Sequence, residues 1–159
     1  MLVSFTSFMS GLLMVATMAS SAQSAQQDLL RLGTELSLSI CGGEEPVRVE
    51  TLPNPHVDGN TELVEVRSCA SGESRVVLTR TDSESRRLPL SVIVISTDVP
   101  LPSPIRIGAA TEGVQGMLGA PVEVAGGRQS YSLSESDDML VIESRDGIII
   151  SVTWHFYAG

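Results

Sequence analysis

The apolar pattern opens with a run from Phe8 to Ala19, followed by the small residues Ser20-Ser21-Ala22-Gln23-Ser24-Ala25. That order matches the hydrophobic region and cleavage zone of a secretory signal. Ser20 and Ala22 suit the small positions preceding a cut after Ala22, and a cut after Ala25 is the other option; no Lys or Arg precedes the run. The run falls short of the roughly 20 residues a spanning helix needs, so residues 1–25 read as a removable export signal. Beyond them, Leu29, Leu30, Leu32 and Leu36 cover one broad face of a helix over Gln26–Leu36. Gly33 argues against it by about 1 kcal/mol relative to Ala. Leu36-Ser37-Leu38-Ser39-Ile40 then alternates and predicts the start of a strand.

Alternating stretches follow at Val47–Leu52 and Glu62–Cys69, then apolar strands at Arg75–Arg80 and Leu88–Thr97. The loops between them are marked by Gly42-Gly43, by Pro53–Asn60, by Ser71-Gly72-Glu73 and by the polar stretch Asp82–Arg87. Val92, Ile93, Val94 and Ile95 are consecutive, a pattern of burial on both faces. Val99–Pro104 holds three prolines and reads as a linker between a β-rich unit at 26–98 and a second unit at 105–159, with 99–104 between them. No internal repeat relates the two units.

In the second unit Thr111 is placed as an N-cap, with Glu112 in the first turn. Val114, Met117 and Leu118 form one apolar stripe, Gly119 fits the position just past the helix, and Pro121 stops it. Gly113 and Gly116 weaken so short a helix unless they allow close packing on a sheet. Strands are predicted at Gln129–Leu133 and Met139–Arg145, then an Asp146-Gly147 hairpin and a last strand. Period two puts Ile148, Ile150, Val152, Trp154 and Phe156 on a core face, and Ile149, Ser151, Thr153, His155 and Tyr157 on the other. The expected fold is α+β, rich in antiparallel sheet, with a short helix and a three-stranded meander in the C-terminal unit.

Composition narrows the setting. The chain has 159 residues and a formal net charge of −9, and all ten of its basic residues are Arg. A pI near 4.6 argues against nucleic acid and anionic membrane surfaces as partners. No segment beyond the signal is long and apolar enough for stable membrane insertion. Cys41 and Cys69 are the two cysteines. In an exported chain they read as one disulfide, since no Cys-x-x-Cys redox motif occurs. Cys41 is a poor lipidation site because Ile40 precedes it and Asp28, Arg31 and Glu35 separate it from the apolar run.

Gly108, Thr111, Val114, Leu118-Gly119 and Pro121, then Tyr131 in a strand and the Asp146-Gly147 hairpin, resemble the SmpA/OmlA family. That family includes the small lipoprotein of the outer-membrane barrel-assembly machinery, and the β-lactamase-inhibitor-protein-like fold shares its helix-then-sheet unit. The resemblance spans residues 105–159. It implies a noncatalytic envelope protein that binds other proteins. The chain departs from the family in two ways: no lipidated Cys follows the signal, and the β-rich segment Val47–Thr97 is additional.

Motifs for chemistry are sparse. His56-Val57-Asp58 could bring an imidazole near a carboxylate in a turn-rich loop, and Glu135, Asp137 and Asp138 cluster before a strand. No Gly-x-Ser-x-Gly, His-Glu-x-x-His or phosphate-cradling Gly loop occurs. The reading is therefore not an enzyme, with no cofactor and no metal. It is a periplasmic or secreted interaction module whose binding candidates are His155 and Tyr157, projecting away from the core face. Two alternatives stand beside it. One is a proteinaceous inhibitor of an envelope or secreted hydrolase. The other is a small metal-dependent enzyme using His56 and Asp58.

Overall fold

A computed structural model describes residues 10–43, 48–54, 58–80 and 85–157. A long helix, α1 (Ser10–Ser39), leads into β1 (Arg48–Pro53), β2 (Thr61–Cys69), β3 (Gly72–Arg80) and β4 (Ser85–Val94). A 3-10 turn, Thr111–Gly113, then opens α2 (Val114–Leu118), followed by β5 (Glu123–Ala125), β6 (Arg128–Ser132), β7 (Met139–Arg145) and β8 (Ile148–His155). All the strands are antiparallel and form one eight-stranded sheet in the order β1-β2-β3-β4-β8-β7-β6-β5. Each half is thus a helix followed by a four-stranded meander, and the halves meet through the pairing of their last strands, Ser91–Val94 with Val152–His155. The likeness of the halves lies in topology and not in residue spacing, so no repeat shows in the sequence.

The helix over Gln26–Leu36 is present but does not begin there. It runs unbroken through Ala22 and Ala25, and Leu29 is its first fully buried side chain past Ser20. It also continues through Leu36–Ser39, where alternation had suggested a strand. Ser37 donates back to the Thr34 carbonyl at 2.8 Å and Ser39 to Glu35 at 2.7 Å, so these serines bond within the helix. At the helix end, Cys41 forms a disulfide with Cys69 beside the β2–β3 hairpin, with Cα atoms 5.7 Å apart. In the chain-entropy account, closing that loop stabilises the fold by about 3.5 kcal/mol.

Both helices lie on one face of the sheet. The main core there joins Leu29 to Val92 and Val94 of β4, Val152 and Trp154 of β8, Leu140 and Ile142 of β7, Tyr131 of β6, and Val114 and Leu118 of α2. The indole Nε1–H of Trp154 donates to the Leu29 carbonyl at 2.9 Å. Leu101 and Ile105 are buried in this same core, so the proline-rich stretch is part of the wall rather than a spacer between separate bodies.

Local details differ from the sequence pattern for identifiable reasons. Thr111 does not cap α2 with its side chain; it is the first residue of the 3-10 turn, and its N–H donates to Gly147 of the hairpin at 3.0 Å. Gly119 does close α2, at φ 84°, with its N–H on the Gln115 carbonyl. Gly113 lies close to Pro104, whereas Gly116 has open space around it. The C-terminal meander has four strands, because the short β5 pairs with β6 ahead of the three expected.

The largest difference is in β8. Its register against β7 shifts between Glu143 and Ser144: Glu143 faces Ser151 and Ser144 faces Ile149, leaving Ile150 as an extra residue. A bulge of this kind reverses the inward alternation on either side. Ile149 is therefore buried with Val152 and Trp154, while Ile148 and Ile150 are 42% and 40% exposed. The predicted core face holds for Val152 and Trp154 and is inverted for Ile148–Ile150.

Candidate interaction surface

Successive side chains on a strand point to opposite faces. Since Trp154, Val152, Val92 and Val94 face the helices, their neighbours face away. In register across the sheet, this second face carries Ser130, Val141, Thr153 and Ile93 in one row. Arg128, Glu143 and Ser151 form another, and Met139, His155, Ser91 and Arg75 a third. No described helix packs on this face. At its centre Ser130, Ser151, Thr153 and Val141 are buried. Around them stand larger groups that reach solvent: Ile95 just past β4, and Ile148 and Ile150 at the start of β8.

The outer strands of this face are closed by a smaller apolar cluster. Val64, Val66 and Val77 are buried there, with Leu52 and Leu90 packed against them. Leu90 is the extra residue of a second irregularity, where Arg75 faces Ser91 but Val76 faces Pro89. Over this cluster Glu50 bridges two arginines: Arg48 at 2.5 Å and Arg75. A parallel arrangement on the helix side has Glu65 bridging Arg67 at 3.6 Å and Arg87 at 2.5 Å. Each carboxylate thus holds one guanidinium group from its own strand and one from the strand two places away in the sheet, a geometry that suits planar arginine.

His155 projects from the sheet face away from the helices, opposite Met139 on one side and Ser91 on the other. Burial of its ring lowers its pKa from the ordinary histidine value, and the nearby Arg128 guanidinium lowers it further. Tyr157 lies beyond the end of β8 and is exposed, and its backbone N–H donates to Asp138 Oδ1 at 2.8 Å. The two sequence candidates are therefore neighbours in the chain, with His155 on the open face and Tyr157 at its margin. Asp58 sits in an exposed turn, and His56 lies outside the described residues. In the acidic stretch, Ser134 Oγ donates to Asp138 Oδ2 at 2.7 Å, which ties that carboxylate into its own turn. Among the described residues no three His, Cys, Asp or Glu side chains gather as metal ligands.

Sequence reasoning missed Ile148 and Ile150 as surface groups because period two assigned them to the core. It also passed over Arg128 and Arg145. A depression of about 350 Å³ is lined by Arg128, Glu143, Arg145 and Ile150 together with Gly126, Gly127 and Ser144. A larger groove of about 960 Å³ runs on the other side of the molecule, between α1 (Ala25, Leu29, Leu32) and the stretch Val99–Ile107.

Compared with family models, with curated proteins and with solved structures, the chain matches none.

Proposed function

We propose that this chain is an exported, noncatalytic protein-binding module of the bacterial cell envelope, and that it docks partners on the open face of its sheet. The observation carrying this reading is the asymmetry of the sheet. One face is covered by α1 and α2, while the other, with no described helix on it, holds exposed Ile95, Ile148 and Ile150 toward the start of β8 and His155 at its far end. Exposed apolar side chains grouped on one face, rimmed by polar residues, mark interaction surfaces. The Cys41–Cys69 disulfide supports an oxidising compartment, and among the described residues no helix is long and apolar enough to cross a membrane. The resemblance of residues 105–159 to the SmpA/OmlA family supports a partner in envelope assembly.

The test is retrieval of the tagged, crosslinked protein from native envelope extract. A defined set of partners is expected, and it should be depleted by Ile95→Asp combined with Ile150→Asp and by His155→Ala combined with Tyr157→Ala. Unchanged recovery with both double variants would contradict docking on this face.

A further inference from the structure

The open face has a chemical preference written at one end. Arg128 of β6 stands opposite Glu143 of β7, and Arg145 lies two residues further along the same strand. Among the described residues, Glu143 is the one carboxylate lining this depression, and it pairs with neither arginine: its Oε2 accepts from Ser151 Oγ at 3.1 Å. Among the described residues neither Arg128 nor Arg145 forms an ion pair, in contrast to Arg31, Arg48, Arg67, Arg75 and Arg87; Arg106, also without an ion pair, donates its Nε–H to the Leu101 carbonyl. Both are exposed.

Next to them the bulge turns Ile150 outward, and Ile148 faces Arg145 across the hairpin. Without the extra residue, alternation would place Ile148 and Ile150 in the core with Val152 and Trp154. The bulge therefore sets two exposed isoleucines beside two arginines without carboxylate partners. Bulges commonly re-aim side chains in this way.

This deepens the protein-binding reading and rests on it. We infer that the partner presents an acidic, apolar segment. Its carboxylates would pair with Arg128 and Arg145, and its apolar side chains would pack on Ile148 and Ile150. Charge complementarity favours such a partner. The protein carries a net charge of −9, so its surface as a whole repels acidic partners. Two adjacent arginines without ion-pair partners, beside exposed isoleucines, concentrate positive charge at this spot. Guanidinium groups bind carboxylates through paired N–H donors. Arginine beside an apolar anchor is also a common composition for the centre of an interface.

The probe is a fluorescein-labelled peptide of alternating Glu and Val, with a Lys and Val peptide of equal length as its counterpart. Binding is read by fluorescence anisotropy on the intact disulfide-bonded protein. The Glu peptide is expected to bind, more weakly as salt rises, and the Lys peptide is not. Arg128→Glu combined with Arg145→Glu should weaken the Glu peptide by about tenfold or more, and the Gln pair should weaken it less. Ile150→Asp should weaken it too, while Arg31→Glu on the exposed side of α1 should not. Circular dichroism establishes that the variants are folded. Equal binding of the two peptides, no binding of the Glu peptide, or an arginine double variant that binds as the parent does would overturn the inference. So would binding to anionic phospholipid vesicles without binding to the Glu peptide. If partners from envelope extract are lost with Ile95→Asp and Ile150→Asp but kept with the arginine pair, docking on this face stands and the acidic partner falls.

Discussion

Gly33 of α1 lies against the indole of Trp154 in β8: a Cβ at position 33 would stand 2.3 Å from Cδ1. That single contact explains a residue that looks wrong for a helix. The helix-propensity loss of about 1 kcal/mol is accepted because only a missing side chain lets α1 approach closely enough for Trp154 Nε1–H to reach the Leu29 carbonyl.

Gly33→Ala should therefore destabilise the protein despite its better helix propensity. The expected loss is about 1–3 kcal/mol, typical of overpacking a core. Urea unfolding of the oxidised protein measures it directly. A stabilised variant would mean that α1 does not sit on Trp154.

The bulge makes neighbouring isoleucines unequal. Ile149→Ala removes a fully buried side chain and should cost about 2–4 kcal/mol. Ile150→Ala changes an exposed one and should stay within about 0.5 kcal/mol. Period-two alternation through β8 predicts the reverse order, so the two midpoints decide the register.

The two halves should not fold apart. Residues 105–159 alone would leave Trp154 and Val152 without α1, and β8 without β4. Each exposed edge would also present unpaired backbone groups. Such a fragment is expected to lack cooperative thermal unfolding and to be digested rapidly by protease. A cooperative transition in the fragment would mean that the second unit folds without the shared core.

His155 gives a pH signature. Its pKa is lowered in the folded protein, chiefly by burial and then by Arg128. The unfolded chain therefore binds its proton at higher pH than the folded one does. The associated stability is present above the ordinary histidine value near 6.5 and is lost as pH falls through the folded value. His155→Gln should flatten that part of the stability profile, and Arg128→Gln should raise the His155 pKa measured by NMR titration. A His155 that titrates above the ordinary value would contradict the placement of its ring.

Much of this architecture can be read from residue pattern, and the exceptions share causes. Strands at 48–53, 61–69 and 139–145 follow from alternation and turn residues, and Gly119 closes α2 as its position suggested. The disulfide follows from the presence of two cysteines without a Cys-x-x-Cys motif. What alternation cannot reveal is a single inserted residue, and both Leu90 and Ile150 are of that kind. Leu36–Ile40 misled because alternating Leu and Ser also fits a helix whose serines bond to the preceding turn. The placement of His155 on the face away from the helices was legible because β8 resumes regular alternation after the bulge. The lack of ion-pair partners at Arg128 and Arg145 was not legible, because it is a three-dimensional property.

The most direct test of docking on the open face is site-specific photocrosslinking in the native envelope. A benzophenone side chain would be placed in turn at Ile150, at Ile95, and at the exposed helix positions Gln27 and Glu35. The account predicts discrete protein adducts from Ile150 and Ile95 and none from the helix positions. Adducts from Gln27 or Glu35 alone would place the partner on the helix side and contradict the central claim.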